Sequence, residues 1–165
     1  EINFVANGQG KFIFEQEEHI MREGELCIIA PNSKHDFLIE DDSTVFTICI
    51  RKSTFDTTFF SLMTRKDLLS YFFRTILQGD NHSNYLMFFT NNNSVIKKYI
   101  RNMMIESSKK DMYSNACCIS YVNLMFSALL RSYSQTIQFY NYEMGADFGW
   151  SDGLYDTVKK AMGAE

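Results

Sequence analysis

Apolar residues recur at two different periods along this chain, and the change falls near Arg51. Before it come short runs that alternate or stay apolar for about five residues: Ile2 to Ala6, Lys11 to Glu15, Glu25 to Ile29, Asp36 to Ile39 and Val45 to Ile50. Runs of that length between turn-prone residues are strand signals. Phe12 and Phe14 alternate with Lys11, Ile13 and Glu15, which puts both rings on the packed face of a curved antiparallel sheet. Asn7-Gly8-Gln9-Gly10 predicts a first hairpin turn, because glycine tolerates the positive φ such turns need. Asp41-Asp42-Ser43 predicts another turn.

After Arg51 the spacing becomes helical. Leu68, Leu69, Phe72, Phe73, Ile76 and Leu77 line one side of a helix predicted over Asp67 to Leu77, with Gly79 placed to end it. Asn92, Asn93 and Ser94 offer an N-cap to a second helix. Its apolar positions are Val95, Ile96, Tyr99, Ile100, Met103 and Met104, with Lys97, Lys98 and Arg101 on the other side. A third helix is predicted from about Met112 to Thr136, with no charge between Asp111 and Arg131. Ser120, Asn123, Ser127, Arg131 and Ser134 form a weakly polar stripe along it, which argues against a membrane span. The rest of its circumference, including Tyr121, Leu124, Met125 and Leu129, is wide enough to face both its own domain and a second subunit.

Composition narrows the classes. With 165 residues, 45% hydrophobic, 15% aromatic and 22% charged, the chain has a large core and is not disordered. A net charge of −4 disfavours autonomous nucleic-acid binding, which clustered Lys and Arg normally announce. Cys27, Cys49, Cys117 and Cys118 form no C-x-x-C pair and are read as reduced core residues. Nothing resembles a signal sequence, so a cytoplasmic location is expected. No Gly-rich phosphate loop, nucleophile elbow or paired-carboxylate spacing is present.

The most specific segment is Glu23-Gly24-Glu25-Leu26-Cys27-Ile28-Ile29-Ala30-Pro31-Asn32-Ser33-Lys34-His35. A glycine turn feeds an apolar strand, the only proline closes a tight turn, and a histidine opens the next strand. This segment resembles the second motif of cupins in the form found in AraC-type transcription regulators. Glu1 to Gly8 resembles the end of the first cupin motif, and the order of helices around Tyr85-Leu86-Met87-Phe88 is similar to that family's sensor domain. The resemblance covers residues 1 to 138. Ala30 stands where the family has a first proline, and Asn32 replaces its usual glycine, a change tolerated because Asn accepts left-handed backbone.

The resemblance implies an α+β fold: a cupin-like antiparallel β-barrel, or double-stranded β-helix, followed by about three helices. The barrel portion is expected over 1–52, a helical dimerisation portion over 53–138, and a tail of uncertain structure over 139–165, where Gly149-Trp150-Ser151-Asp152 and Lys159-Lys160 make no complete DNA-binding motif. It further implies a homodimer that senses a small-molecule effector and reaches DNA only through a separate helix-turn-helix domain. That domain needs on the order of a hundred residues of its own, so it is expected outside this chain. No membrane partner and no cofactor are implied.

Within the barrel, His35 has the chemistry of a ligand contact or of a satisfied turn histidine. Phe12, Phe14 and Phe37 have that of pocket wall or of filling. Cys27, among Leu26, Ile28 and Ile29, reads as buried. The competing class is a metal-dependent cupin enzyme acting on a small molecule. A catalytic metal needs three protein ligands, and Glu1 with His35 makes two. His19, among Gln16, Glu17 and Glu18, and His82 in a polar stretch complete no set. We therefore expect no enzyme activity and no bound metal.

Overall fold

Alternation writes two apolar faces onto the early strands, and the chain folds so that both are covered. The computed structural model describes residues 1–39, 42–58, 84–133, 137–141 and 146–148. The first strands are β1 (Ile2–Asn7), β2 (Gln9–Phe14), β3 (Glu17–Arg22), β4 (Glu25–Ile29), β5 (His35–Ile39) and β6 (Thr44–Ile48). They are followed by α1 (Lys52–Thr58), β7 (Asn84–Phe89), α2 (Ser94–Lys109), α3 (Ser114–Tyr133), β8 (Gln138–Asn141) and β9 (Ala146–Phe148). A six-stranded sheet has the order β6-β1-β4-β7-β8-β9 and a three-stranded sheet the order β3-β2-β5. Every pairing is antiparallel. The two sheets face each other as an unclosed barrel, and α2 and α3 lie on the far side of the larger one.

Period two decides which core each residue joins. Ile2 and Phe4 of β1, Leu26 and Ile28 of β4, and Leu86 and Phe88 of β7 pack on the helices, against Ile100, Val122, Met125, Phe126 and Leu129. Their neighbours Val5, Cys27, Ile29, Tyr85 and Met87 point the other way, onto Phe12, Phe14 and Met21 of the small sheet. Phe12 and Phe14 are buried while Lys11, Ile13 and Glu15 are half-buried, as the alternation predicts.

The helices follow their signals. Asn93 caps α2, its side chain accepting from the Val95 N–H at 2.8 Å. Lys110, in left-handed backbone at φ 54°, ends it. Asp111 then caps α3, accepting from Tyr113 N and Ser114 N at 2.8 and 2.9 Å. The polar stripe Ser120, Asn123, Ser127 and Arg131 is exposed or half-buried. Ser134 and Thr136 lie outside the described residues.

Several expectations change. Gly8, at φ 75°, forms no hairpin: β1 pairs with β4 and β6 and never with β2, so Gly8 is a corner where the chain crosses between sheets. The true hairpin joins β2 to β3 through Glu15 and Gln16, with Glu15 carrying positive φ. Residues 53–138 are not wholly helical, because Tyr85 to Phe88 is strand β7, fully paired with β4. Both its faces are apolar, which suits the middle of a sheet and hides the alternation. The chain after α3 returns as β8 against β7. Of the cysteines only Cys27 is buried; Cys49 is exposed and Cys117 and Cys118 intermediate. The helix predicted over Asp67 to Leu77, His82, and the tail from Gly149 lie outside the described residues.

The glycine turn between β3 and β4 clamps the barrel to α2. Gly24 has φ 85°, and a β-carbon there would collide with the backbone of Asn92. Thr90 Oγ1 donates to the Gly24 carbonyl, while Asn92 Nδ2 and Lys97 Nζ both donate to Glu23 Oε1, at 2.7 and 2.6 Å. We predict that Gly24→Ala lowers unfolding free energy by about 1–3 kcal/mol, the usual cost of enforced backbone strain, as read by urea denaturation. A loss below about 0.5 kcal/mol, the range of ordinary surface changes, would show that this turn is not clamped.

Candidate functional site

Register places Met87 of β7, Cys27 of β4, Asn3 of β1 and Thr47 of β6 in one row across the barrel face of the large sheet. The row is apolar at its β7 end and polar at its β6 end. Thr47 Oγ1 donates to Asn3 Oδ1 at 2.6 Å, and Asn3 Nδ2 donates to Glu1 Oε1 at 2.9 Å. The same carboxylate oxygen lies 3.0 Å from His35 Nε2, whose Nδ1 faces the Ser33 carbonyl at 2.9 Å. Asn3 is buried, so this line satisfies an amide that would otherwise be costly to place there.

The turn at Pro31-Asn32 sets His35 into this line. Asn32 takes left-handed backbone at φ 63°, as its residue type allows, and Ser33 N donates to Ala30 O at 3.4 Å. Both nitrogens of His35 face oxygens that only accept. A neutral ring donates to one of them and a protonated ring to both, so the tautomer decides which contact is donated. Partial burial pushes the Glu1 carboxyl upward, but hydrogen bonds from Asn3 and His35, and the charge of His35, outweigh it and hold it below its ordinary value. Burial pushes the Cys27 thiol up to about 12, which leaves it protonated and unsuited to thiolate chemistry.

An aromatic cluster continues from His35 into the barrel. Phe12 lies 6.2 Å from the His35 ring and 6.2 Å from Phe37, and Tyr85 stands edge-on to Phe12 and Phe14 at 5.0 and 4.5 Å. At its far end Tyr85 Oη is hydrogen-bonded to His19 Nε2 at 2.8 Å. The structure thus brings His35, Phe12, Phe14 and Phe37 together. Phe12 and Phe14 are buried in the barrel core, whereas His35 and Phe37 are half-buried at the barrel mouth.

Three residues of this arrangement escape the sequence reading. Asn3 shares the phase of Val5 and could be placed inward on that ground, whereas Thr47 carries no such signal. His19, expected in a solvent turn, sits in the middle of β3 opposite Phe12. The positions expected at a subunit interface also divide. Met125 and Leu129 are completely buried in their own chain, Leu124 is 47% exposed, and Tyr121 is half-buried beside Tyr99. A partner can reach Leu124 and the edge of Tyr121; Met125 and Leu129 belong to the internal core.

Residues 1–61 match the family model of the AraC-like ligand binding domain. The match shows that this stretch is similar to that domain. No curated protein matches the chain. The matched part of the AraC-like domain takes in β1 to β6 and α1, and so contains the whole line Thr47, Asn3, Glu1 and His35. β7, which pairs with β4 to complete the barrel face, lies beyond it. Among the described residues, no three His, Cys, Asp or Glu side chains gather where they could hold one metal ion, and no helix is long and apolar enough to cross a membrane.

The depressed pKa of Glu1 fixes the sign of a pH effect. Its ion pair and hydrogen bonds stabilise the fold above the ordinary carboxylate value of 4.5 and are lost as pH falls through the lower folded value. We predict that Glu1→Gln lowers the melting temperature near about pH 6 and that the difference from wild type shrinks toward about pH 3. A difference that stays constant over that range would contradict the carboxylate's role.

Proposed function

We propose that this chain is the effector-sensing and dimerisation part of an AraC-type transcription regulator, working in the cytoplasm and reaching DNA only through a separate helix-turn-helix domain. The observation that carries the reading is the coincidence of the family match with the polar line Thr47-Asn3-Glu1-His35, set into an otherwise apolar barrel. A small molecule at the mouth meets His35 and Glu1 first, with Phe37 beside them. Displacing either partner of the ion pair disturbs Asn3 on β1, whose neighbours Ile2 and Phe4 pack on the helix side. A shift of β1 therefore reaches α2 and α3 by direct contact, which is the requirement for an effector to bias two arrangements of the helices.

Self-association takes place on the outward side of α3, around Leu124 and Tyr121. In sedimentation at on the order of 10 µM we predict a dimer that Leu124→Asp converts to monomer without loss of helical signal, while Leu129→Asp unfolds the chain. A folded monomer for the wild type would refute the dimer. The effector site is tested by thermal shift over a library of small metabolites. A compound that stabilises the wild type and not His35→Ala supports the reading, and equal stabilisation of both places its site elsewhere.

A further inference from the structure

Beneath α1, where the end of the barrel meets α3, lies a pocket of about 180 Å³. Its walls are apolar: Ile2, Ile28 and Pro31 from the barrel end, Ile50 and Phe55 from the entry to α1, and Phe126 from α3. Two charged side chains complete the lining, Glu1 and Lys52. Glu1 uses one carboxylate oxygen, Oε1, for both Asn3 and His35. Among the described residues its Oε2 accepts no hydrogen bond, and the Lys52 ammonium has no hydrogen-bond or ion-pair partner. An apolar chamber that ends in a carboxylate with one oxygen to spare and an ammonium without a partner among the described residues has the recognition chemistry of a small zwitterion with an apolar side chain.

We propose that this pocket binds a free hydrophobic α-amino acid, its ammonium on Glu1 Oε2, its carboxylate on Lys52 and its side chain among Ile28, Ile50, Phe55 and Phe126. The size agrees. The pocket is smaller than the roughly 300–1,000 Å³ of drug-sized sites, which suits a ligand the size of an amino acid. The larger hollows, of about 570 and 720 Å³, are open grooves beside α2 and lack a pair of opposite charges. The inference rests on the reading of the chain as a small-molecule sensor, and it adds a second site by α1 and α3 whose lining does not include His35 or Phe37. It also gives the ligand a route to the helices: Phe126 of α3 is a wall, and Glu1 joins the pocket to His35 and Asn3.

The test is calorimetry on the whole chain with L-leucine and L-phenylalanine, beside 4-methylpentanoate and 3-methylbutylamine, which each keep one charge of leucine. At least one amino acid is expected to bind, with each single-charge analogue weaker by about tenfold or more, the usual loss for one charge-assisted hydrogen bond. Lys52 is exposed, so its variants should fold. Lys52→Ala is expected to weaken the amino acid by about tenfold or more while leaving the amine unaffected, and Lys52→Arg to retain binding. No binding of either amino acid, or binding indifferent to Lys52→Ala, overturns the inference. So does a different small molecule whose binding is lost in His35→Ala and unchanged in Lys52→Ala, and that result leaves the sensor reading standing.

Discussion

Strands β1, β4 and β7 are buried on both faces, and strands so placed are held only when two separate apolar layers are supplied to them. One layer is the small sheet, built from β2, β3 and β5; the other is the pair α2 and α3. Neither layer is local in sequence to all three strands. The small sheet is threaded between β1 and β6, while the helices follow β7, and β7 itself pairs with a strand more than fifty residues earlier. The two cores therefore form together or not at all. A change on one face of β1 or β4 is transmitted to the other, because a close-packed interior passes displacement on rather than absorbing it.

Against that background the polar line has a definite role. A buried Asn in an apolar row is tolerated only if its groups are hydrogen-bonded, and Asn3 meets this through Thr47 and Glu1. Glu1 in turn is shared with His35. The barrel mouth thus holds a chain of groups whose partners can be exchanged for those of a ligand, attached to strands whose opposite faces carry the helices. The same construction that fixes the fold places these groups on strands whose opposite faces carry the helices.

The sequence shows the early strands and α2 and α3 clearly, because alternation, helical spacing and the cap at Asn93 are local signals. It shows β3 poorly. Glu17, Glu18 and Arg22 are exposed on an edge strand, so their polarity reads as a turn. It hides β7 for the opposite reason, since Tyr85 to Phe88 is apolar on both faces and carries no period. At the site, His35 and the bend at Pro31-Asn32 are legible from spacing. The partnership of Glu1, Asn3 and Thr47 is not, because it comes from the registers of three strands. Likewise, an uncharged α3 announces that it is covered without saying by what. Met125 and Leu129 turn inward and only Leu124 turns out, a division set by how α3 rolls onto the sheet.

The central claim is that the two cores form one cooperative unit through the doubly buried strands. Native-state hydrogen exchange of the whole chain tests it most directly. The account predicts that the most protected amides of β1, β4, β7, α2 and α3 open together, at a common free energy equal to that of global unfolding. Opening of α2 and α3 at a distinctly lower free energy, while β1, β4 and β7 remain protected, would contradict it.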